Sequence, residues 1–137
     1  MKVVFADTRY WVALLNPRDE LHNKATELSK FLNPVRIVTS EMVLTEVLND
    51  FSKRGDYPRQ AATELIDRIQ ENPNITVVSQ TSQQFRQGLE LYKNRLDKNW
   101  SLTDCVSFKI MEHMSIYEAL AYDKHFEQGG FRALLRD

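Results

Sequence analysis

The chain has 137 residues, 42% hydrophobic and 27% charged, with a formal net charge of −1. This is an ordinary globular balance at a length that fits one compact domain over residues 1–137. No apolar run approaches the ~20 residues of a membrane span, the run Val3–Ala6 is too short for a signal sequence, and the single Cys105 excludes an internal disulfide. A reducing, cytoplasmic setting is therefore expected. The near-neutral charge does not advertise nucleic-acid binding, but it leaves room for acids clustered in a site with bases on its rim.

The first β-branched run, Val3–Ala6, reads as a strand, followed by helical patterns over Thr8–Leu15 and Asp19–Leu32. A second strand is expected at Val35–Val38, then helices over Glu41–Arg54 and Pro58–Glu71. A third strand at Ile75–Val78 precedes helices over Ser82–Leu96 and Leu102–Met114. A fourth strand at Ile116–Ala121 leads to a short helix near Lys124 and an edge strand at Phe131–Leu134. Strands alternating with helices predict a three-layer α/β/α sandwich with a mostly parallel sheet of four to five strands. Short, wholly apolar strands suit a sheet buried on both faces.

In open sheets of this kind ligands sit beyond the carboxyl ends of the strands. Asp7 directly follows the first strand and Asp123 the fourth, so topology places both at that edge. Glu46 falls at the margin of the apolar arc formed by Val43, Leu44, Val47, Leu48 and Phe51. Asp104 lies near the start of a largely apolar helix, where an acid is costly unless paired or metal-bound. Each acid also has an ordinary reading. Asp7 and Asp123 can cap the helices that follow them, Ser101 and Asp104 can form a capping box, and Glu46 can reach solvent. As a set, carboxylates delivered to one sheet edge repel one another and call for cations. Oxygen ligands select Mg²⁺ or Mn²⁺, and no cysteine–histidine spacing suggests zinc. Such a cluster suits phosphodiester hydrolysis.

Four segments carry a family resemblance. Phe5-Ala6-Asp7-Thr8-Arg9, Thr45-Glu46-Val47-Leu48-Asn49, Trp100-Ser101-Leu102-Thr103-Asp104-Cys105 and Ala121-Tyr122-Asp123-Lys124-His125-Phe126 resemble, in order, the motifs of PIN-domain nucleases, among them toxins of the VapC type. The resemblance covers nearly the whole chain. It implies cleavage of single-stranded RNA with Mg²⁺ or Mn²⁺ and an acidic site of Asp7, Glu46, Asp104 and Asp123. The first, third and fourth are the expected metal ligands, and Glu46 ligates or orients water. It also implies a homodimer and a small antitoxin partner, because in similar proteins the helical hairpin of Glu41–Arg54 and Pro58–Glu71 carries such contacts. Ala121 departs from the threonine many relatives have there.

Thr8, Ser101 and Thr103 are candidates to hydrogen-bond the acids. Arg9, Lys53, Arg54, Lys98 and Lys124 are the basic residues nearest the motifs and candidates for an RNA rim. Trp11, Tyr57 and Trp100 are candidates to stack on bases, with apolar packing the default for Trp11. Asp97 reads as a solvated loop acid and His125 as a packing or capping residue. Competing readings are a stand-alone RNA-processing nuclease, a non-catalytic scaffold of the same family and a phosphoacceptor signalling domain. The last fits poorly, because Asp7 has no acidic neighbour and Glu46 sits on a helix.

Overall fold

The computed structural model describes residues 1–137. Strand β1 (Lys2–Ala6) is joined through helices α1 (Thr8–Leu15) and α2 (His22–Phe31) to β2 (Val35–Ser40). Helices α3 (Glu41–Phe51) and α4 (Asp56–Glu71) lead to β3 (Ile75–Val78), and α5 (Ser82–Asn94) and α6 (Leu102–His113) to β4 (Glu118–Leu120). A short α7 (Lys124–Gln128) precedes β5 (Arg132–Ala133), and a 3₁₀ turn spans Leu134–Arg136. The five strands form one sheet in the order β3-β2-β1-β4-β5, and every pairing is parallel.

The order dictates the layers. From β1 the chain steps to β2 and then β3 in one direction, returns across the sheet to β4, and steps outward to β5. Parallel crossovers are almost always right-handed, so reversing the direction of travel moves the helices to the other face. Helices α1–α4 accordingly pack among themselves, and α5 packs on α6 and α6 on α7. The reversal leaves a crevice between β1 and β4 at the carboxyl ends of the strands. Val4, Phe5, Ala6, Val38, Ala119 and Leu120 of the sheet are buried between the helical layers, against Val43 and Val47 of α3, Val106 and Met111 of α6, and Phe126 of α7. Phe108 of α6 meets Trp100 and Phe126 edge-on, each at 5.0 Å between ring centres. These contacts lock the start of α6 to α7.

The expected elements are present with shifted ends: β1, β2 and α4 run longer, from Lys2, to Ser40 and from Asp56 respectively, and several others are shorter. Helix α2 starts at His22 rather than Asp19, because Asp19 accepts from the backbone N–H of Leu21 in a turn. Helix α3 ends at Phe51, which leaves Lys53 and Arg54 in the connection before α4. Strand β4 pairs with β1 only at Ala119 and Leu120, so Ile116, Tyr117 and Ala121 flank it. The edge strand shrinks to Arg132–Ala133, and Leu134 begins the 3₁₀ turn instead.

Helix α5 approaches α6 over Gly88. A Cβ on that residue would lie 2.5 Å from Cγ2 of Val106 and within 3.3 Å of the Val106 backbone. An alanine in mid-helix ordinarily stabilises by about 1 kcal/mol over glycine. Gly88→Ala is expected instead to destabilise by about 1–3 kcal/mol, because a β-branched side chain and backbone atoms must give way. Urea unfolding of the two proteins measures this, and a gain in stability would contradict the close packing.

Candidate active site

Asp7 is the first residue past β1. Its backbone is extended, its N–H donates to the carbonyl of Leu120 (3.1 Å), and its side chain does not cap α1. The ladder between β1 and β4 thus continues through Asp7 and fixes its carboxylate at the crevice, only 8% exposed. Asp123 begins α7 three residues beyond β4 and caps it, accepting from the N–H of His125 at 3.2 Å. Glu46 projects from α3 and Asp104 from the first turn of α6. All four line one cleft of about 630 Å³ with Thr8, Arg9, Asp50, Ser101, Tyr122, Lys124, His125 and Arg136.

Three of these carboxylates share a pattern: one oxygen is held by the protein and the other has no protein partner. Oε1 of Glu46 accepts from the Thr8 hydroxyl at 2.6 Å. Oδ2 of Asp104 accepts from the N–H of Ser101 at 3.1 Å, completing a capping box, and contacts Nδ1 of His125 at 2.9 Å. Oδ1 of Asp123 takes the His125 N–H and lies 3.4 Å from the same Nδ1. Such half-held acids are oriented while a lone-pair-rich oxygen is left over.

No cation balances Asp7. Burial, then the charge of Asp104, push its carboxyl up from 3.8 to about 7; the Thr8 N–H opposes this, and Glu46 and Asp123 add to it. Burial also raises Asp104, against the opposing bonds from Ser101 and His125. Two acids lifted by desolvation and by neighbouring carboxylates form a pair that a bound cation would stabilise. No three of the groups close into a preformed ligand cage. The four carboxylates nevertheless offer only hard oxygen donors, the ligand type that a cation such as Mg²⁺ takes together with water. The residues present therefore fit a divalent metal.

Of the other expected residues, Thr8 holds Glu46 directly. Ser101 both caps α6 and lines the cleft. Thr103 does not join them: it is buried outside the cleft, because two positions along a helix turn it about 200° away from Ser101. Arg9 and Lys124 line the cleft. Lys53 and Arg54 do not, since α3 ends before them, and Arg54 pairs with Asp50 at 2.6 Å. Lys98 lines a neighbouring cleft. Asp97 stays outside the acid cleft, bound to Arg95. Trp11 is buried, donating to Thr39 at 3.3 Å, and Tyr57 is exposed away from the cleft.

Four cleft residues escaped the sequence reading or its role for them. Asp50 stands four residues after Glu46 on the same helical face, a spacing that could have revealed it. His125 bridges two acids rather than merely packing. Tyr122 adjoins Asp123, and its ring lies under the guanidinium groups of Arg9 (5.5 Å) and Arg136 (5.2 Å). Nothing local to Arg136 signals that placement.

The raised Asp7 carboxyl makes stability depend on pH. Between pH ~4 and ~7 the folded metal-free protein keeps a proton that the unfolded chain releases, so stability falls as pH rises through that window. In EDTA, Asp7→Asn is expected to stabilise the fold by about 2–4 kcal/mol at pH 8 and by little at pH 4. Thermal or urea unfolding at both pH values measures the difference; equal effects at the two would refute it.

The comparisons agree with this geometry. The family described as PIN domain matches residues 4–131. Over 129 residues the chain is 29% identical to the 23S rRNA-specific endonuclease VapC20 of Mycobacterium tuberculosis, spanning 94% of this chain and 95% of that protein. The crystal structure of the Mycobacterium tuberculosis VapC20, a Sarcin-Ricin loop cleaving toxin, superposes with a TM-score of 0.84 at 28% identity, over 93% of this chain and 95% of that one. VapBC2 from Rickettsia felis, solved bound to a DNA fragment from its promoter, shares the fold with a TM-score of 0.66 at 12% identity, over 96% of each chain. With the family match running from β1 to the residue before β5 and the acids gathered at the strand reversal, the chain belongs to the PIN-domain family.

Proposed function

We propose that this protein is a divalent-metal-dependent endoribonuclease that hydrolyses single-stranded RNA and serves as the toxin of a VapBC-type toxin–antitoxin pair. The observation that carries the reading is the cluster of half-held carboxylates around a buried Asp7 that no cation balances. The likeness to a 23S rRNA-specific endonuclease supports RNA as substrate, and the likeness to VapC20 supports the toxin role.

Asp7, Asp104 and Asp123 are the residues that would hold Mg²⁺ or Mn²⁺. When bound, such an ion activates a water molecule and neutralises charge on the phosphate. The protein's part is positional. Thr8 pins Glu46 by one oxygen, so the other is available to ligate or to orient the attacking water. His125 fixes the rotamer of Asp104 and draws α7 toward α6. Arg9, Lys124 and Arg136 supply positive charge at the rim for RNA phosphates. Cleavage on this reading leaves a 5′-phosphate and a 3′-hydroxyl.

Partners follow from surface. Leu48 and Tyr57 on the α3–α4 hairpin and Phe31 at the end of α2 are exposed. They are the apolar side chains we assign to an antitoxin chain or a second copy in a homodimer. No helix is long and apolar enough to cross a membrane, and the buried free thiol of Cys105 suits a reducing cytoplasm.

Cleavage of an unstructured RNA should require Mg²⁺ or Mn²⁺ and stop in EDTA. Asp7→Asn and Asp104→Asn should each slow it by roughly 10²–10³-fold or more, the scale of losing one preorganised charge. Activity that survives chelation, or survives both substitutions, would sink the proposal.

His125→Ala should weaken Mn²⁺ affinity by roughly 10–100-fold, as removal of a group that orients a ligand does, while leaving the fold intact. Calorimetric titration reads this, and wild-type affinity in the variant would show that the histidine only packs.

A further inference from the structure

A second cleft, of about 710 Å³, opens beside the acidic one. Ser101 lines both, and its N–H donates to Asp104, so the two clefts meet at the helix start that carries a site acid. The character changes across that boundary. The acidic cleft is lined mainly by polar and charged residues, whereas the second is lined by Tyr92, Leu96 and the largely buried Trp100 with the cations Arg95 and Lys98.

Two of these side chains have no reason in the fold to be exposed. Leu96 is 90% and Tyr92 50% exposed. The first lies in the connection between α5 and α6, the second on the last turns of α5. Beneath them the Arg95 guanidinium lies 4.9 Å over the Trp100 ring. Asp97 accepts from Nε and Nη2 of Arg95, at 3.0 and 3.1 Å, and approaches Lys98 only at 3.9 Å. The guanidinium is therefore tethered over the Trp100 ring by Asp97 rather than free to bind a phosphate. Trp100 in turn is anchored through its indole N–H to Gln128 of α7 at 3.1 Å. A rigid aromatic–guanidinium platform, a free tyrosine ring, an apolar flank and one loosely paired lysine form a surface for a flat, apolar-faced group on an anionic chain. An unpaired nucleobase on its phosphate backbone has that chemistry.

We infer that this cleft is a nucleobase subsite, which takes an unpaired base of the RNA next to the phosphate held at the carboxylates. Tyr92 and Leu96 clasp the base against the Arg95–Trp100 platform, and Lys98 meets the adjoining phosphate. The inference rests on the ribonuclease reading above and narrows it. The substrate is an RNA in which a nucleotide flanking the cut is unstacked, as in a hairpin loop, and duplex RNA is excluded.

The test uses the full chain with Mn²⁺ and short unpaired RNA oligonucleotides, including a set with an abasic nucleotide at each position around the cut. Tyr92→Ala combined with Leu96→Ser should raise KM roughly 5–50-fold with kcat within about twofold. The wild type should lose a similar factor on one abasic oligonucleotide, which the variant should cleave no worse than the wild type does. Lys98→Ala, a milder change in case the pair does not fold, should raise KM and flatten its salt dependence. Tyr117→Ala, exposed at the opposite ends of the strands, should change neither. Unchanged KM in the subsite variants, or losses that simply multiply with the abasic ones, would overturn the subsite. So would wild-type KM with altered self-association in sedimentation, which would mark the cleft as a protein contact. If the wild-type protein cleaves none of these RNAs, the ribonuclease reading itself fails and the subsite with it.

Discussion

The arrangement depends on one unbalanced charge. Asp7 is placed by the β1–β4 ladder at the point where the strand order reverses, and there it is nearly removed from water with only acids for charged company. A carboxylate in that position is unfavourable as a folding element. Neither α1 nor the sheet needs it, since its side chain caps nothing. Strain of this sort persists where the surrounding structure over-determines it, and it marks sites whose function uses it. On the proposed reading a divalent cation would remove this penalty, and the residue that weakens the metal-free fold would provide affinity for metal.

The other acids are arranged so that they do not add to the difficulty unchecked. Glu46 is tied to Thr8, and Asp104 and Asp123 to His125 and to backbone N–H groups. These bonds fix side-chain direction without consuming the carboxylate. The capping box at Ser101 leaves room for a second role in one residue: Asp104 satisfies the N–H of Ser101 with one oxygen and keeps the other. The cap weighed against function in the sequence is in fact the device that aims the acid. The aromatic cluster of Trp100, Phe108 and Phe126 then sets the distance between α6 and α7, on which the His125 bridge depends.

How much of this the sequence contained follows from the range of each interaction. The strands, and so Asp7 and Asp123 at their carboxyl ends, are written in local periodicity and were legible. The acid on α3 was legible as a margin residue, and Asp50, one helical turn on, carried the same spacing signal but was missed. Helix ends were less legible, because turns such as the one at Asp19 replace a helical hydrogen bond with a side-chain one. The rim was hardest. Lys53 and Arg54 look near Glu46 in sequence, but α3 ends first and Arg54 turns back onto Asp50. Arg136 lies 90 residues from Glu46 in the numbering, yet it reaches the cleft because β5 and the 3₁₀ turn return the chain beside Tyr122. Contacts of that separation exist only once the sheet order is known.

The rim also resolves the near-neutral charge of the chain. Five carboxylates line the cleft, with three permanent cations, so the interior is negative and the positive groups stand at its border. Phosphate is drawn by the border and repelled by the floor. Arg9 and Arg136, both stacked on Tyr122, are also ion-paired, Arg9 with Asp19 and Glu20 and Arg136 with Glu127. Their positions are thereby fixed, and part of their charge is already offset. Entry of the phosphate to the floor requires the floor's charge to be cancelled first. On the proposed reading, a metal ion and a substrate phosphate would each lower the electrostatic cost of binding the other at this floor.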